Sequence, residues 1–325
     1  MKNIKRIVAL ALAAALIACS CLAFTSCGDD GKYTIGILQL VTHDALDAAT
    51  QGFKDAVIEK LGAENVTFIE QNANNEINLC NTIATDFVSK NVDLIMANAT
   101  PALQAAASAT LDIPILGTSV TEYGVALSIK DFNCLVCGNI SGTSDLAPLD
   151  EQAQMILDLC PTATKIGLLY CSAEANSQYQ IDEITRILVE KGVSADNIKA
   201  YPFTDTTDLT AVTTVAAANS DVIYVPTDNT VANNTETINA ICLDAKTPIV
   251  AGEAGICGGC GIATLSISYY DLGYLTGEMA AEILKGEKKI SKMPIQYVTK
   301  FEKKYNAENC TALGITIPEG YAPLG

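Results

Sequence analysis

Short apolar runs alternate with longer stretches of helical periodicity over most of the chain. The runs are nearly continuous in Ile, Val, Leu and Tyr, which is typical of strands buried on both faces of a parallel sheet. We predict strands at residues 33–40, 66–70, 94–97, 113–116, 166–170, 198–203, 222–225 and 249–251. The pattern therefore indicates an α/β protein built on parallel sheets.

Between these runs the apolar residues recur at helical spacing. Leu46, Phe53 and Val57 fall on one stripe of a helix predicted over 45–61. Asp44 is placed to cap the start of this helix, and Gly62 is placed to end it. The same pattern recurs at 78–90, 102–110, 149–159, 176–191, 209–218 and 231–245. This repetition predicts doubly wound, Rossmann-like architecture.

The alternation is interrupted between residues 120 and 148. A short strand predicted at 135–140 leads there into a polar loop, and no long helix intervenes. A strand and a helix over 262–285 and another strand at 296–301 follow much later, which suggests that the chain crosses between two lobes and returns. We predict a first lobe of residues 33–138 plus about 262–297, and a second of 139–261 plus about 298–325.

The beginning of the chain has the pattern of an export signal. Lys2, Lys5 and Arg6 precede an apolar run that starts at Ile7, so we predict a signal peptide over residues 1–26. A transmembrane helix is the alternative, but the run ends in small residues and cysteines instead of a basic flank.

Two cysteines could receive a lipid anchor. Cys27 follows small residues and precedes a polar stretch, and we predict that it is lipidated and that residues 27–32 form a tether. Cys19 fits a lipobox more closely and remains the alternative. Cleavage before Cys19 would leave an apolar stretch in the mature tether, which favours Cys27.

Charge and histidine content exclude several functions. The chain has 20 Lys and Arg against 37 Asp and Glu, a formal net charge of -17, which would repel the phosphates of a nucleic acid. We therefore predict no nucleic-acid partner. His43 is the single histidine, so multi-histidine metal sites are excluded.

The cysteine spacing also predicts no metal site. Cys134 and Cys137 have the CxxC spacing of zinc ligands, but they lie near the predicted strand at 135–140, where residues three apart point to opposite faces. Cys257 and Cys260 lie in a glycine-rich turn, where a local disulfide or free thiols are the alternatives. We predict neither a metal nor a cofactor.

Hydroxyl, amide and carboxylate side chains cluster just after the predicted strands. Ligands of open parallel sheets bind at the carboxyl ends of the strands, so we take these residues as the candidate binding site. Thr100 and Ser119 would donate to a ligand carboxylate and Asp228 would accept from an ammonium, although helix capping is the alternative for several of them. The candidates are Gln39, Thr42, His43, Asn98, Thr100, Thr118, Ser119, Thr143, Ser172, Asn176, Asp228, Asn229 and Glu253.

Motifs for catalysis are not found in the sequence. There is no G-x-S-x-G nucleophile elbow and no P-loop lysine motif. The candidates do not form a nucleophile and base combination, and His43 alone is more often a polar loop residue or a stacking contact than a base. We therefore predict that the protein is not an enzyme.

Several stretches resemble one known family. They include VTHDALDA at 41–48, ANATP at 97–101, GTSD at 142–145, YVPTDN at 224–229, SYYDLG at 268–273 and LGITIP at 313–318. These stretches are similar to those of ABC transporter substrate-binding lipoproteins of the tryptophan/tyrosine-binding type, which have the type I periplasmic-binding fold. YVPTDN and SYYDLG together are the most specific part of the resemblance.

The resemblance implies two Rossmann-like lobes joined by a multi-strand hinge, with a small solute captured between them. It further implies delivery to a membrane permease and its ATPase, without catalysis, and an aromatic or other hydrophobic amino acid is our first expectation for the solute. Tyr123, Tyr170, Tyr179 and Phe203 are candidates for stacking on it. We also expect a monomer.

Two alternatives from other classes stay open. The first is a surface receptor that passes a small-ligand signal to a signalling protein. The second is an exported α/β enzyme of unknown reaction.

Overall fold

The computed structural model describes residues 32–324, and the predicted signal peptide with Cys19 and Cys27 lies outside these described residues. The first of two sheets has six parallel strands in the order β11-β5-β4-β3-β1-β2. Its strands are β1 Tyr33–Gln39, β2 Val66–Asn72, β3 Leu94–Asn98, β4 Ile115–Thr118, β5 Ile140–Ser144 and β11 Gln296–Tyr297. The strands at its centre are buried on both faces, as their apolar sequences predict.

Five helices cover the first sheet, and their buried stripes pack on both of its faces. They are α1 Asp44–Leu61, α2 Ile77–Ser89, α3 Thr100–Ala109, α4 Tyr123–Ala126 and α11 Tyr269–Leu284. Helix α1 starts one residue earlier than predicted, with His43 at the N-cap and Asp44 inside the first turn. Gly62 ends it as predicted, and its N–H donates to the carbonyl of Ile58.

The second sheet has seven strands in the order β13-β12-β10-β9-β8-β6-β7. All neighbours pair in parallel except β10 with β12. The strands are β6 Ile166–Cys171, β7 Ile198–Phe203, β8 Val222–Val225, β9 Ile249–Ala251, β10 Ala263–Ser266, β12 Glu302–Tyr305 and β13 Ala322–Pro323.

Seven helices flank this second sheet. They are α5 Leu149–Leu159, α6 Ala175–Glu190, α7 Thr206–Asn219, α8 Asn229–Ala232, α9 Thr235–Asp244, α10 Ala254–Cys260 and α12 Ala307–Leu313. The helix predicted over 231–245 is divided into α8 and α9, and short 3-10 turns occur at Ala63–Asn65, Ala195–Asn197 and Ile290–Lys292. The glycine-rich stretch around Cys257 and Cys260 is helical and not a turn, with both thiols buried.

The chain passes between the two sheets three times, after β5, after β10 and after β11. The predicted lobe boundaries differ from the sheets at two places. Strand β5 belongs to the first sheet, because it pairs with β4, and strand β10 belongs to the second, because it pairs with β9. Residues 135–139, predicted as part of a strand, form an irregular loop, and the strand begins only at Ile140.

The return of the chain to the first sheet is secured by close packing of α11 on α1. A β-carbon added at Gly273 would overlap the carbonyl of Ala49, and one at Gly52 would overlap the carbonyl of Tyr270. The two helix backbones therefore approach more closely than any larger residue allows. Among residues 32–324 no helix combines the length and apolarity needed to cross a membrane.

Candidate functional site

The carboxyl ends of both sheets face a shared, narrow cavity with an accessible volume of about 10 Å³. This leaves room for about one water molecule, so the two lobes pack closely around the cavity. The cavity is lined by His43, Ala45, Leu46, Ser119, Thr121, Asp145, Asn176, Thr227, Asp228, Asn229, Ala232, Glu253 and Tyr269. Both lobes contribute, so the cavity exists only where the lobes meet.

Loops at the strand ends position these side chains. His43 lies between β1 and α1, Ser119 follows β4 with a left-handed φ of 53°, and Asp145 follows β5. From the second lobe, the loop after β8 brings Asp228 and the loop after β9 brings Glu253. The lining therefore follows the rule for parallel sheets, applied twice and face to face.

Three buried polar atoms at the cavity have no hydrogen-bond partner. They are Oγ of Ser119, Oδ1 of Asp145 and Oδ1 of Asn176. A buried polar atom without a partner costs about 1–3 kcal/mol of stability, so such atoms call for a functional explanation. The oxygens of Asp145 and Asn176 are acceptors, and the three atoms lie on both lobes. A ligand that bridges the lobes and carries hydrogen-bond donors would supply the missing partners.

Burial controls the electrostatics of Asp145. It raises the pKa of this carboxyl to about 6, although the side chains of Thr121 and of Tyr269, whose hydroxyl donates to Oδ2 at 3.0 Å, favour the ionised form. The nearby charge of Glu253 raises the pKa further. Asp145 is therefore ionised at neutral pH with one oxygen directed at no partner.

The other two carboxylates of the lining serve as helix caps. Asp228 accepts from the N–H groups of Cys171 at 2.7 Å and Val231 at 2.9 Å, while Glu253 accepts from the N–H groups of Gly255 and Ile256. Burial raises the pKa of both carboxyls. Each oxygen of Asp228 thus already accepts one backbone hydrogen bond, and its predicted contact with a ligand ammonium stays a prediction.

The lining contains three carboxylates and neither lysine nor arginine. His43 is its one side chain that could carry a positive charge, and its Nε2 lies 3.3 Å from Oδ1 of Asn229. An acidic, desolvated cavity of this kind favours a ligand that brings a positive charge.

The structure brings together six of the thirteen predicted residues: His43, Ser119, Asn176, Asp228, Asn229 and Glu253. The other seven do not line the cavity. They are Gln39, Thr42, Asn98, Thr100, Thr118, Thr143 and Ser172.

Most of these seven side chains hold the scaffold together. Asn98 donates to the carbonyl of Leu46 and so fixes the start of α1, and the hydroxyls of Thr118 and Thr143 lie 3.3 Å apart. Gln39, Asn98 and Thr118 are the last residues of three strands paired in register, so they lie within the sheet edge and below the cavity.

The remaining members of this group lie in loops or at a helix start. Thr42 accepts from Asn72, and Ser172 donates to the carbonyl of Phe203. The hydroxyl of Thr100 is buried without a partner, but it lies outside the lining, so the predicted contact with a ligand carboxylate is not supported.

Seven lining residues were not among the site candidates: Ala45, Leu46, Thr121, Asp145, Thr227, Ala232 and Tyr269. Asp145 directly follows a strand, and the strand-end rule would have found it if the strand at Ile140–Ser144 had been placed correctly. Tyr269 begins the helix that returns to the first lobe. Its aromatic ring is the one in the lining, whereas Tyr123, Tyr170, Tyr179 and Phe203 lie elsewhere.

The cysteines take no part in the cavity. All nine in residues 32–324 are unpaired, and only Cys134 and Cys137 are exposed. No group of three His, Cys, Asp or Glu side chains placed to hold a metal ion occurs in this part of the chain.

Two α/β lobes that close over a polar cavity, joined by three passages of the chain, define a solute-binding protein of the type I periplasmic-binding fold. The sequence profile described as ABC transporter substrate binding protein matches residues 34–322. The chain belongs to this family, whose members act outside the cytoplasm, bind a small molecule and work with a membrane transporter.

Two similar proteins, one described as tyrosine-binding and one in complex with L-Trp, support the assignment to solute-binding proteins. The chain is 35% identical over 291 residues to the tyrosine-binding protein of Clostridioides difficile, covering 86% of this chain and 80% of that one. It is 30% identical to a Streptococcus pneumonia ABC domain in complex with L-Trp, with a TM-score of 0.84 over 90% of this chain and 99% of that one.

A third comparison is with a structure described as ligand-free and open. The ligand-free, open structure of a substrate-binding protein with adhesive properties from Clostridium difficile is 34% identical, with a TM-score of 0.68 over 90% of this chain and 99% of that one. This score is lower than the 0.84 of the L-Trp complex although the identity is higher. In the present structure the two lobes are in contact, since Nδ2 of Asn75 in the first lobe donates to the hydroxyl oxygen of Thr230 in the second, and we describe this as a closed form.

Proposed function

We propose that the protein captures an amino acid with an aromatic or other hydrophobic side chain and delivers it to an ABC permease. The observation that carries this proposal is the set of partnerless atoms of Ser119, Asp145 and Asn176 around an acidic cavity. The names of two relatives, which refer to tyrosine and to L-Trp, support the choice of side chain.

Each partnerless atom matches one part of a zwitterion. The α-ammonium donates to Oδ1 of Asp145 and Oδ1 of Asn176, and the α-carboxylate accepts from the hydroxyl of Ser119. The side chain lies against Tyr269 and Leu46, which supply apolar surface in the lining. Asp145 replaces Asp228 as the proposed ammonium partner.

Capture follows from where these partners lie. Ser119 is in the first lobe, Asn176 is in the second, and Asp145 is on the first passage between them. A ligand that contacts all three gains most of its binding energy only when the lobes are closed, and this differential affinity shifts the equilibrium towards closure. The permease then receives the closed, loaded form.

We further propose that the protein is a monomer anchored by lipid at Cys27, with Cys19 as the alternative, and that it catalyses no reaction. Intact-mass analysis of protein from native membranes, with Cys27→Ala and Cys19→Ala variants, tests which cysteine carries the lipid.

Calorimetric titration of the protein without its signal segment tests the ligand. We expect L-tyrosine or L-tryptophan to release heat at a stoichiometry of one, and the same molecules without the amino group to give no response. The twenty amino acids, nucleosides and sugars complete the panel. Equal binding of the deaminated acids, or silence from every amino acid, would refute the proposal.

A further inference from the structure

Helix α8 of the second lobe reaches the first lobe at two points. Oδ1 of Asn229 lies 3.3 Å from Nε2 of His43, and Nδ2 of Asn75 donates to the hydroxyl oxygen of Thr230 at 3.0 Å. We name these two contacts the α8 clamp. Since both join side chains of different lobes, they form only when the lobes are closed.

One carboxylate holds both second-lobe members of the clamp. Glu174 is 4% exposed and accepts from Nδ2 of Asn229 at 2.7 Å and from the hydroxyl of Thr230 at 2.8 Å. It also accepts from the backbone N–H groups of Asn229 at 3.1 Å and Thr230 at 2.9 Å. Glu174 does not itself line the ligand cavity, but it also accepts from Nδ2 of Asn176, a lining residue, at 3.3 Å.

The direction of these hydrogen bonds determines what the clamp offers to the first lobe. Glu174 accepts from the side chains of both Asn229 and Thr230, so each of them turns a donor towards it. The amide oxygen of Asn229 and the lone pairs of Thr230 are then left facing His43 and Asn75. Both second-lobe members are therefore fixed as acceptors, and His43 and Asn75 act as the donors.

We propose that Glu174 is a positioning residue for closure: it fixes the polarity of the α8 clamp and thereby sets how long a captured ligand is retained. A glutamine at this position carries one acceptor oxygen and an NH₂ group. The NH₂ group would face the donors of either Asn229 or Thr230 and would turn that side chain out of the clamp.

Stopped-flow measurement of ligand dissociation tests this positioning role, with L-tyrosine and L-tryptophan as probes. This readout rests on the proposed function. We expect Glu174→Gln to raise the dissociation rate constant about tenfold and to leave the association rate constant unchanged, because the clamp forms after binding. The matched control is Glu151→Gln, an exposed glutamate of the same lobe, which should change neither constant.

A second variant tests the α8 clamp independently, in case Glu174→Gln does not fold. Asn75 lies on the opposite lobe with a left-handed φ of 64°, which glycine adopts without strain. Asn75→Gly should raise the dissociation rate constant about fivefold. Because Glu174 acts in part through Thr230 on Asn75, the double variant should show less than the product of the two single effects.

Strictly multiplicative effects, or an unchanged dissociation rate constant in Glu174→Gln, would overturn the proposal. If neither probe binds the wild type, the proposed function fails and the clamp is tested without a ligand. Small-angle scattering of the ligand-free protein should then show a larger radius of gyration for Glu174→Gln than for the wild type and Glu151→Gln. Identical radii in that case would overturn the clamp as well.

Discussion

Replacement of Asp145 by asparagine should have opposite effects on stability and on binding. The carboxyl is fully buried, and its pKa is about 6 against an ordinary value of 3.8. The pKa of Asp145 is higher in the folded protein than in the unfolded chain, so the fold is favoured while this carboxyl is protonated, at low pH. The free energy of unfolding therefore falls as the pH rises from about 4 to about 6. At pH 7 the ionised group costs about 3 kcal/mol.

Asparagine removes this cost without changing the shape of the side chain. Its oxygen still accepts from the hydroxyl of Tyr269, and its NH₂ group takes the position of the partnerless oxygen. The free energy of unfolding at pH 7.5 should therefore rise by about 1–3 kcal/mol in urea titrations. The NH₂ group faces the ammonium of the ligand, so the affinity should fall at least about a hundredfold.

The ionisation of Asp145 should also be visible in the pH dependence of ligand affinity in the wild type. A bound ammonium favours the ionised form of Asp145. In the ligand-free protein the ionised fraction is almost complete at pH 7.5 and falls to roughly a tenth at pH 5. The affinity should therefore weaken about tenfold between these two values, and calorimetry across the range measures it. In Asp145→Asn the remaining affinity should lose most of this dependence.

The free energy of unfolding and the ligand affinity can each refute this reasoning. A less stable Asp145→Asn protein would show that the carboxylate is needed by the fold and not by the ligand. Unchanged affinity, or tighter binding by the wild type at pH 5 than at pH 7.5, would show that Asp145 is not the ammonium partner. Tyr269→Phe serves as a control, since it removes the hydrogen bond to Oδ2 and leaves the charge in place.

Three further predictions concern other parts of the molecule. Ser119→Ala should weaken ligand binding about three- to tenfold by calorimetry without lowering the free energy of unfolding, because the hydroxyl has no partner inside the protein. Gly273→Ala should destabilise the fold by about 1–3 kcal/mol in urea, since its β-carbon overlaps backbone of α1, whereas Gly258→Ala, whose β-carbon would meet only the Leu324 side chain at 3.9 Å, should not. An alkylating reagent should label two exposed thiols of the native described region rapidly, Cys134 and Cys137, as counted by intact mass. The half-buried Cys160 should react more slowly, and the six buried thiols only after unfolding.

The fold could be predicted from the sequence wherever the local pattern was strong. Strands such as Ile198–Phe203 and Val222–Val225 and the helix Leu149–Leu159 match their predicted bounds, because continuous apolar runs and amphipathic stripes reflect burial directly. The strand at Ile140–Ser144 was misplaced, because its sequence, ISGTS, is polar. It is buried by hydrogen bonds such as that of Ser141 to the carbonyl of Met293, and not by hydrophobicity.

The site could be predicted only in part. The strand-end rule selected the correct loops, but it could not separate side chains that face the cavity from those that tie the loops down. Asp228 is the clearest example, since its carboxylate caps α8 while Asp145, 83 residues earlier in the chain, keeps a free oxygen. Hydrogen-bond partners that are distant in sequence decide between the two roles.

The sequence by itself determined the α/β alternation, the family resemblance and the loops in which a ligand would be held. The tertiary structure decided which sheet β5 and β10 join, which six of the thirteen predicted residues meet, and which of their atoms remain without a partner. The physical reason is the separation along the chain of the groups that interact. Periodicity and capping act over a few residues and are visible along the chain, whereas pairing, burial and hydrogen-bond polarity depend on groups that come together only when the two lobes pack.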